Sequence, residues 1–153
     1  MKNLKSMNPI VIARNAIGVV ILMTSLNMVM VLLNWLPIFP LALITPPSFI
    51  STINTIPEDI LAILKTPQDV MNFKLIWGGF AVSLVALMIY SFLRSAKKPK
   101  AMKIAFGVII FDTFMLFLNL SFTLSFLIQM AYHVFILYYI FKGIKSIKGI
   151  QNV

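Results

Sequence analysis

Long apolar runs broken by short polar, proline-bearing or basic intervals dominate this chain, and no run alternates with the period-two pattern of a strand. The first run, about Ile10–Leu36, exceeds the roughly 20 residues needed to cross a hydrocarbon core, so the pattern predicts a tilted or protruding span. Trp35 marks its far end and Pro37 stops it. A second span is expected over about Phe73–Leu93, with Trp77 at one end and Tyr90 and Arg94 at the other. Ile104–Phe141 is 38 residues long, too many for one straight helix. The polar cluster Asn119, Ser121, Thr123 and Ser125 divides it near Phe122, giving spans of about 104–120 and 123–142. The expected fold is all-α: one membrane domain over residues 1–153, with four transmembrane helices.

The interval 37–72 is the one sizeable loop, and it holds Pro40, Pro46, Pro47, Pro57 and Pro67. Two helix starts are legible in it. Thr55-Ile56-Pro57-Glu58 matches a capping box and predicts a short helix ending near Lys65. Thr66-Pro67-Gln68-Asp69 places a hydroxyl cap, a first-turn proline and an acid in order, and predicts a helix continuous with the second span. The apolar but proline-broken stretch 38–50 is expected to lie in the interface or to re-enter shallowly against protein. Gly79, Ser83 and Ala86, at i, i+4 and i+7, suggest a small-residue face for close helix approach.

Composition agrees with a membrane protein: 60% of residues are hydrophobic, 11% are charged, and mean hydropathy is +0.97. The net charge of +9 would suggest nucleic acid in a soluble chain, but its placement argues otherwise. Lys2, Lys5 and Arg14, then Arg94, Lys97, Lys98, Lys100 and Lys103, then Lys142, Lys145 and Lys148 fall where four spans put one side of the membrane. That is the positive-inside pattern, with both termini cytoplasmic and the proline-rich loop extracytoplasmic. A basic rim of this kind attracts anionic headgroups. The basic leader before the first run resembles a signal peptide, but the run is too long and lacks a cleavage site, so it reads as an uncleaved span. With no cysteine, disulfides, thiol catalysis and zinc–thiolate sites are excluded.

Candidate chemistry is confined to few groups. Asp112 is the one formal charge in Ile104–Phe141, and His133 its one titratable partner. In an antiparallel hairpin turning near residue 122, positions summing to about 245 share a depth, and 112 and 133 do so. Each is nine residues from its basic end, about 13 Å deep and close to the midplane. The register therefore predicts an intramembrane polar pair, Asp112 with His133. Arg14 is a second candidate partner for Asp112, by reaching inward rather than snorkelling. Ser121, Ser125, Gln129 and His133 form a stripe at four-residue spacing beside Tyr132, and Thr24, Asn27 and Asn34 share a face of span one. Arg14, Asn27, Asn119 and Gln129 thus complete a candidate polar seam. Such groups serve either as interhelical glue or as a proton path. One His and one Asp are too few for a haem or metal site, and no nucleophile stands at matching depth.

Ala13-Arg14-Asn15, Thr24-Ser25-Leu26-Asn27, Phe39-Pro40, Asp112-Thr113 and His133-Val-Phe-Ile-Leu137-Tyr138-Tyr139, followed by Gly143-Ile144-Lys145, resemble a group of small four-span membrane proteins of low-GC Gram-positive bacteria. That resemblance implies topology and a bacterial plasma membrane, and no activity. The expected function is that of a non-enzymatic accessory, interaction or immunity-type membrane protein without cofactor or metal. Its expected partners are the lipid bilayer and a membrane protein or further copies of itself, not nucleic acid. The alternative is a small proton- or ion-coupled transporter or channel component using Asp112 and His133.

Overall fold

The computed structural model describes residues 8–96, 98–118 and 123–151, and among them every regular element is a helix. Four helices are long and apolar enough to cross a membrane: α1 (Pro9–Leu32), α4 (Pro67–Arg94), α5 (Pro99–Leu118) and α6 (Leu124–Gln151). This is the architecture of a multi-pass membrane protein. Two shorter helices, α2 (Thr45–Asn54) and α3 (Glu58–Leu61), lie between α1 and α4.

The four long helices close a ring in which α1 packs on α4 and α6, and α5 packs on the same two. Its core runs along one stripe of α1, through Ala13, Ile17 and Val20, against Met88 of α4, Met102, Ala105 and Ile109 of α5, and Ile136 and Ile140 of α6. In lipid such contacts gain by close packing rather than by leaving water, which favours small side chains at the seam. Gly143 shows the tolerance. A Cβ there would lie 2.5 Å from Met102 Sδ and 3.6 Å from the Ala13 side chain, so three helices meet where α6 has no side chain.

Helix ends follow from local chemistry. Asn8 caps α1 by accepting from the Ile10 N–H, and Pro9 opens it. α1 stops at Leu32, short of the expected Leu36. Asn34 adopts φ 59°, the Asn34 N–H donates to Val31 O, and the Trp35 N–H donates to Met30 O. That is a complete Schellman closure with asparagine as the left-handed residue. α4 begins with a full capping box, in which Thr66 Oγ1 accepts from the Asp69 N–H and Asp69 accepts from the Thr66 N–H. The other expected capping box is not made. Pro57, with no side-chain cap bond, precedes α3, which ends at Leu61 instead of near Lys65.

Residues 33–54 hold four prolines in two settings. Pro37 and Pro40 lie in the non-helical part, whereas Pro46 and Pro47 sit in the first turn of α2, where their missing N–H groups cost nothing. After α1 the chain descends beside it. Phe39 pairs with Asn27 and Leu43 with Thr24, the latter eight residues, about 12 Å, below the end of α1. α2 then climbs back until Asn54 Nδ2 donates to Val31 O at the top of α1. Residues 33–54 are therefore a hairpin that re-enters the bundle, a non-helical descent followed by a half-helix, packed against protein. A second core cluster covers it, with Phe49 and Ile50 against Val31 and Ala81, and the Phe49 ring 4.5 Å from that of Trp77.

The small-residue face of α4 is also placed differently. Gly79, Ser83 and Ala86 are exposed on the outside of the bundle, and α4 packs inward through Ala81, Met88 and Ser91. The alanines of α1 and α5 supply the close approaches instead.

Candidate functional site

The re-entrant tip is anchored by one carboxylate. Asp112 Oδ2 accepts from the Ile44 N–H at 2.9 Å and Oδ1 from the Thr45 N–H at 2.8 Å, while Oδ2 also lies 2.9 Å from His133 Nε2. Asp112 is 1% and His133 2% exposed, so neither bond is shared with solvent. Ile44 and Thr45 are the N-cap and first residue of α2, whose first-turn N–H groups have no partners within the helix. A negative side chain at that end also meets the positive pole of the helix. Asp112 thus caps, from α5, a helix 67 residues earlier in the chain.

Donor counting locates a proton in the pair. His133 Nδ1 lies 2.8 Å from the carbonyl oxygen of Gln129, which only accepts, so Nδ1 carries hydrogen. The 2.9 Å contact between Nε2 and Oδ2 then needs one more proton between them, on either atom. In both arrangements the pair is neutral as a unit. That makes two titratable groups tolerable in an apolar core.

Thr24 and Asn27, both buried on α1, complete the clamp. Thr24 Oγ1 accepts from the Leu43 N–H at 2.8 Å, and Asn27 meets both polar groups of the Phe39 backbone, at 3.0 and 3.1 Å. Side chains from two spans, α1 and α5, therefore satisfy main-chain groups of a segment that makes little helix or sheet of its own, with His133 of α6 backing the carboxylate; this is the condition for non-helical backbone at membrane depth.

The candidate residues separate into those the tip brings together and those it does not. Asp112, His133 and Asn27 converge on the hairpin, and Gln129 joins through its backbone carbonyl. Arg14 does not reach Asp112. Its guanidinium lies over the Phe92 ring at 5.4 Å, at the opposite, basic end of the bundle. Asn34 terminates α1 instead of sharing a face with Thr24 and Asn27. Asn119, like Ser121, lies outside the described residues. The pair also sits off centre along α5, thirteen residues from Pro99 and six from Leu118, because that helix starts five residues before Ile104. Residue-type patterning missed the main-chain partners, although Thr45-Pro46 carries the same helix-opening signature as Thr66-Pro67.

Above the tip, the hairpin, the end of α1 and the start of α6 enclose a cavity of about 580 Å³, walled by Trp35, Phe39 and Pro47 and edged by Asn34, Ser51 and Gln129. Among the described residues, no charged side chain lines it. No group of three or more His, Cys, Asp or Glu capable of holding a metal ion occurs among the described residues.

Fold and site together define a four-helix membrane bundle with a carboxylate-capped re-entrant half-helix. No family model, curated protein or solved structure matches the chain.

Proposed function

We propose that this is a non-enzymatic accessory, interaction or immunity-type protein in a bacterial plasma membrane. Its working part is the end built from the re-entrant hairpin and α3. One observation carries this reading: the buried polar groups of α1 and α5 are used to fix the backbone of residues 39–45, and His133 of α6 is spent on holding Asp112. Polar groups committed in this way prepare a surface. At that end Leu36 is 82%, Ile38 66% and Ile63 74% exposed, alongside the acids of α3 and the neutral cavity. The positive-inside rule places this end outside the cell and both termini in the cytoplasm, where the basic rim meets anionic headgroups.

A photo-crosslinker at Ile38 or Ile63 should capture one specific membrane protein, or a second copy of this chain, in native membranes. Phe49, packed under Trp77, is too covered to report. The adduct should disappear when Asp112→Asn loosens the hairpin; an adduct indifferent to that substitution, or none at all, counts against the reading. The proton held between Asp112 and His133 favours a second reading, proton-coupled transport. It requires pH-gradient-driven flux in proteoliposomes that Asp112→Asn abolishes while the protein stays inserted.

A further inference from the structure

Three of the four acids of this molecule lie at the hairpin end, together with Lys65 and Lys74, and Arg14 lies at the other. Glu58 and Asp59 begin α3 and Asp69 lies in the first turn of α4, all at the hairpin end, and Asp112 is held by His133 and two backbone N–H groups. These are all four acids in the sequence. Arg14 sits one and a half turns into α1 at the other end, half-buried between α1 and α4. Asp69 is 23 residues along α4 from Phe92, about 34 Å away. None of the four acids is placed to neutralise Arg14.

The arginine is nevertheless held in a fixed place. Its guanidinium lies 5.4 Å from the centre of the Phe92 ring. That ring lies close against α1 at Gly18, one turn beyond Arg14, where a Cβ would come within 3.1 Å of its edge. Nε is closed off from solvent and has no hydrogen-bond partner. The outer nitrogens make no hydrogen bond to any described residue and are not sealed in. The nearby C-terminal end of α4 offers about half a negative charge, against a full positive one. A guanidinium so presented binds a tetrahedral oxyanion through paired N–H donors.

We propose that Arg14, seated on Phe92, is the ligand for the phosphate of one anionic membrane lipid at the basic end of the bundle. This rests on the reading of that end as a headgroup surface. It replaces a diffuse basic rim by one built position, with Arg94 and Lys98 contributing only general attraction. A lipid phosphate is favoured over a dissolved anion because exposed apolar side chains, Val11 on α1 and Ile89 and Leu93 on α4, lie within a turn of Arg14 and Phe92, and acyl chains can follow them.

The full-length protein is incorporated into nanodiscs, where its insertion tests the membrane reading separately, and phosphatidylglycerol binding is titrated against a phosphatidylcholine background. Arg14→Gln should weaken binding on the order of thirtyfold, the effect of losing a charge-assisted pair. Arg94→Gln should weaken it about fivefold at most, as one basic residue in a surface potential does. Phe92→Leu leaves the net charge unchanged and should still weaken binding, which a diffuse field does not explain. Equal effects of Arg14→Gln and Arg94→Gln, or no effect of Phe92→Leu, would overturn the assignment. So would displacement of the lipid by inorganic phosphate, which would make this a free-anion site.

Discussion

Replacing Asp112 by asparagine should open the re-entrant hairpin while leaving the four-helix bundle closed. The carboxylate accepts from Ile44, from Thr45 and pairs with His133. An asparagine can keep its carbonyl on Thr45 and donate its amide to a neutral His133. The amide nitrogen then faces the Ile44 N–H, two donors opposed. One buried backbone donor is orphaned, at a cost of about 1–3 kcal/mol, and the open population should rise about 5- to 150-fold. Asp112→Leu orphans three groups and should exceed that range. The absence of cysteine makes the measurement background-free. A single Ala42→Cys, at a position 1% exposed on the hairpin, reports opening through its rate of maleimide labelling. Cysteine at Ile63 gives the fully accessible rate, and cysteine at Ala105, fully buried in α5, reports the bundle itself. If Ala42→Cys labels within about twofold of the Asp112 parent in both variants, the carboxylate is not what holds the hairpin. If Ala105→Cys opens in parallel, the hairpin is not a separate unit.

His133→Leu removes the proton-bearing partner of a buried carboxylate and should cost about 3–5 kcal/mol, so Ala42→Cys should label faster than with Asp112→Asn; slower labelling would contradict the shared proton. Asn34→Val forces a β-branched residue to φ 59° and should cost about 1–2 kcal/mol, whereas Asn34→Gly should hold or raise the melting temperature; equal melting of the two would refute the left-handed cap. Gly143→Leu drives a side chain into Met102 and Ala13 and should destabilise by about 1–3 kcal/mol. Gly143→Ala should be nearly neutral, since the flexible Met102 thioether can yield. A detergent denaturation series that ranks these two the other way would show that α5 and α6 are not in contact there.

The four apolar runs and the antiparallel register of the last two were readable because both rest on geometry that lipid imposes. A second contact repeats the sum of 245 that links Asp112 to His133: a Cβ on Gly143 would meet Met102. What could not be read was the binding of side chains to main chain. Thr24, Asn27 and Asp112 look like groups awaiting other side chains, yet apart from His133 on Asp112 their partners are amides and carbonyls of residues 39–45, which every sequence has. Leu, Ile and Pro in that stretch pointed to the interface or to shallow re-entry without showing which backbone groups would meet α1 and α5. The outward turn of Gly79, Ser83 and Ala86 was equally hidden, because helical spacing identifies a face without saying what it meets.

The long separation between Asp112 and the helix it caps has a consequence for synthesis. When α1 and residues 33–54 emerge, the groups that will receive Ile44 and Thr45 lie 67 residues or more downstream, and His133 follows Asp112 by 21 more. Thr24 and Asn27 are available at once, but they hold only the descending arm. The N–H groups that open α2 therefore have no capping carboxylate until α5 has been made. A chain truncated before Asp112 would hold α1, α4 and the descending arm without the carboxylate that caps α2.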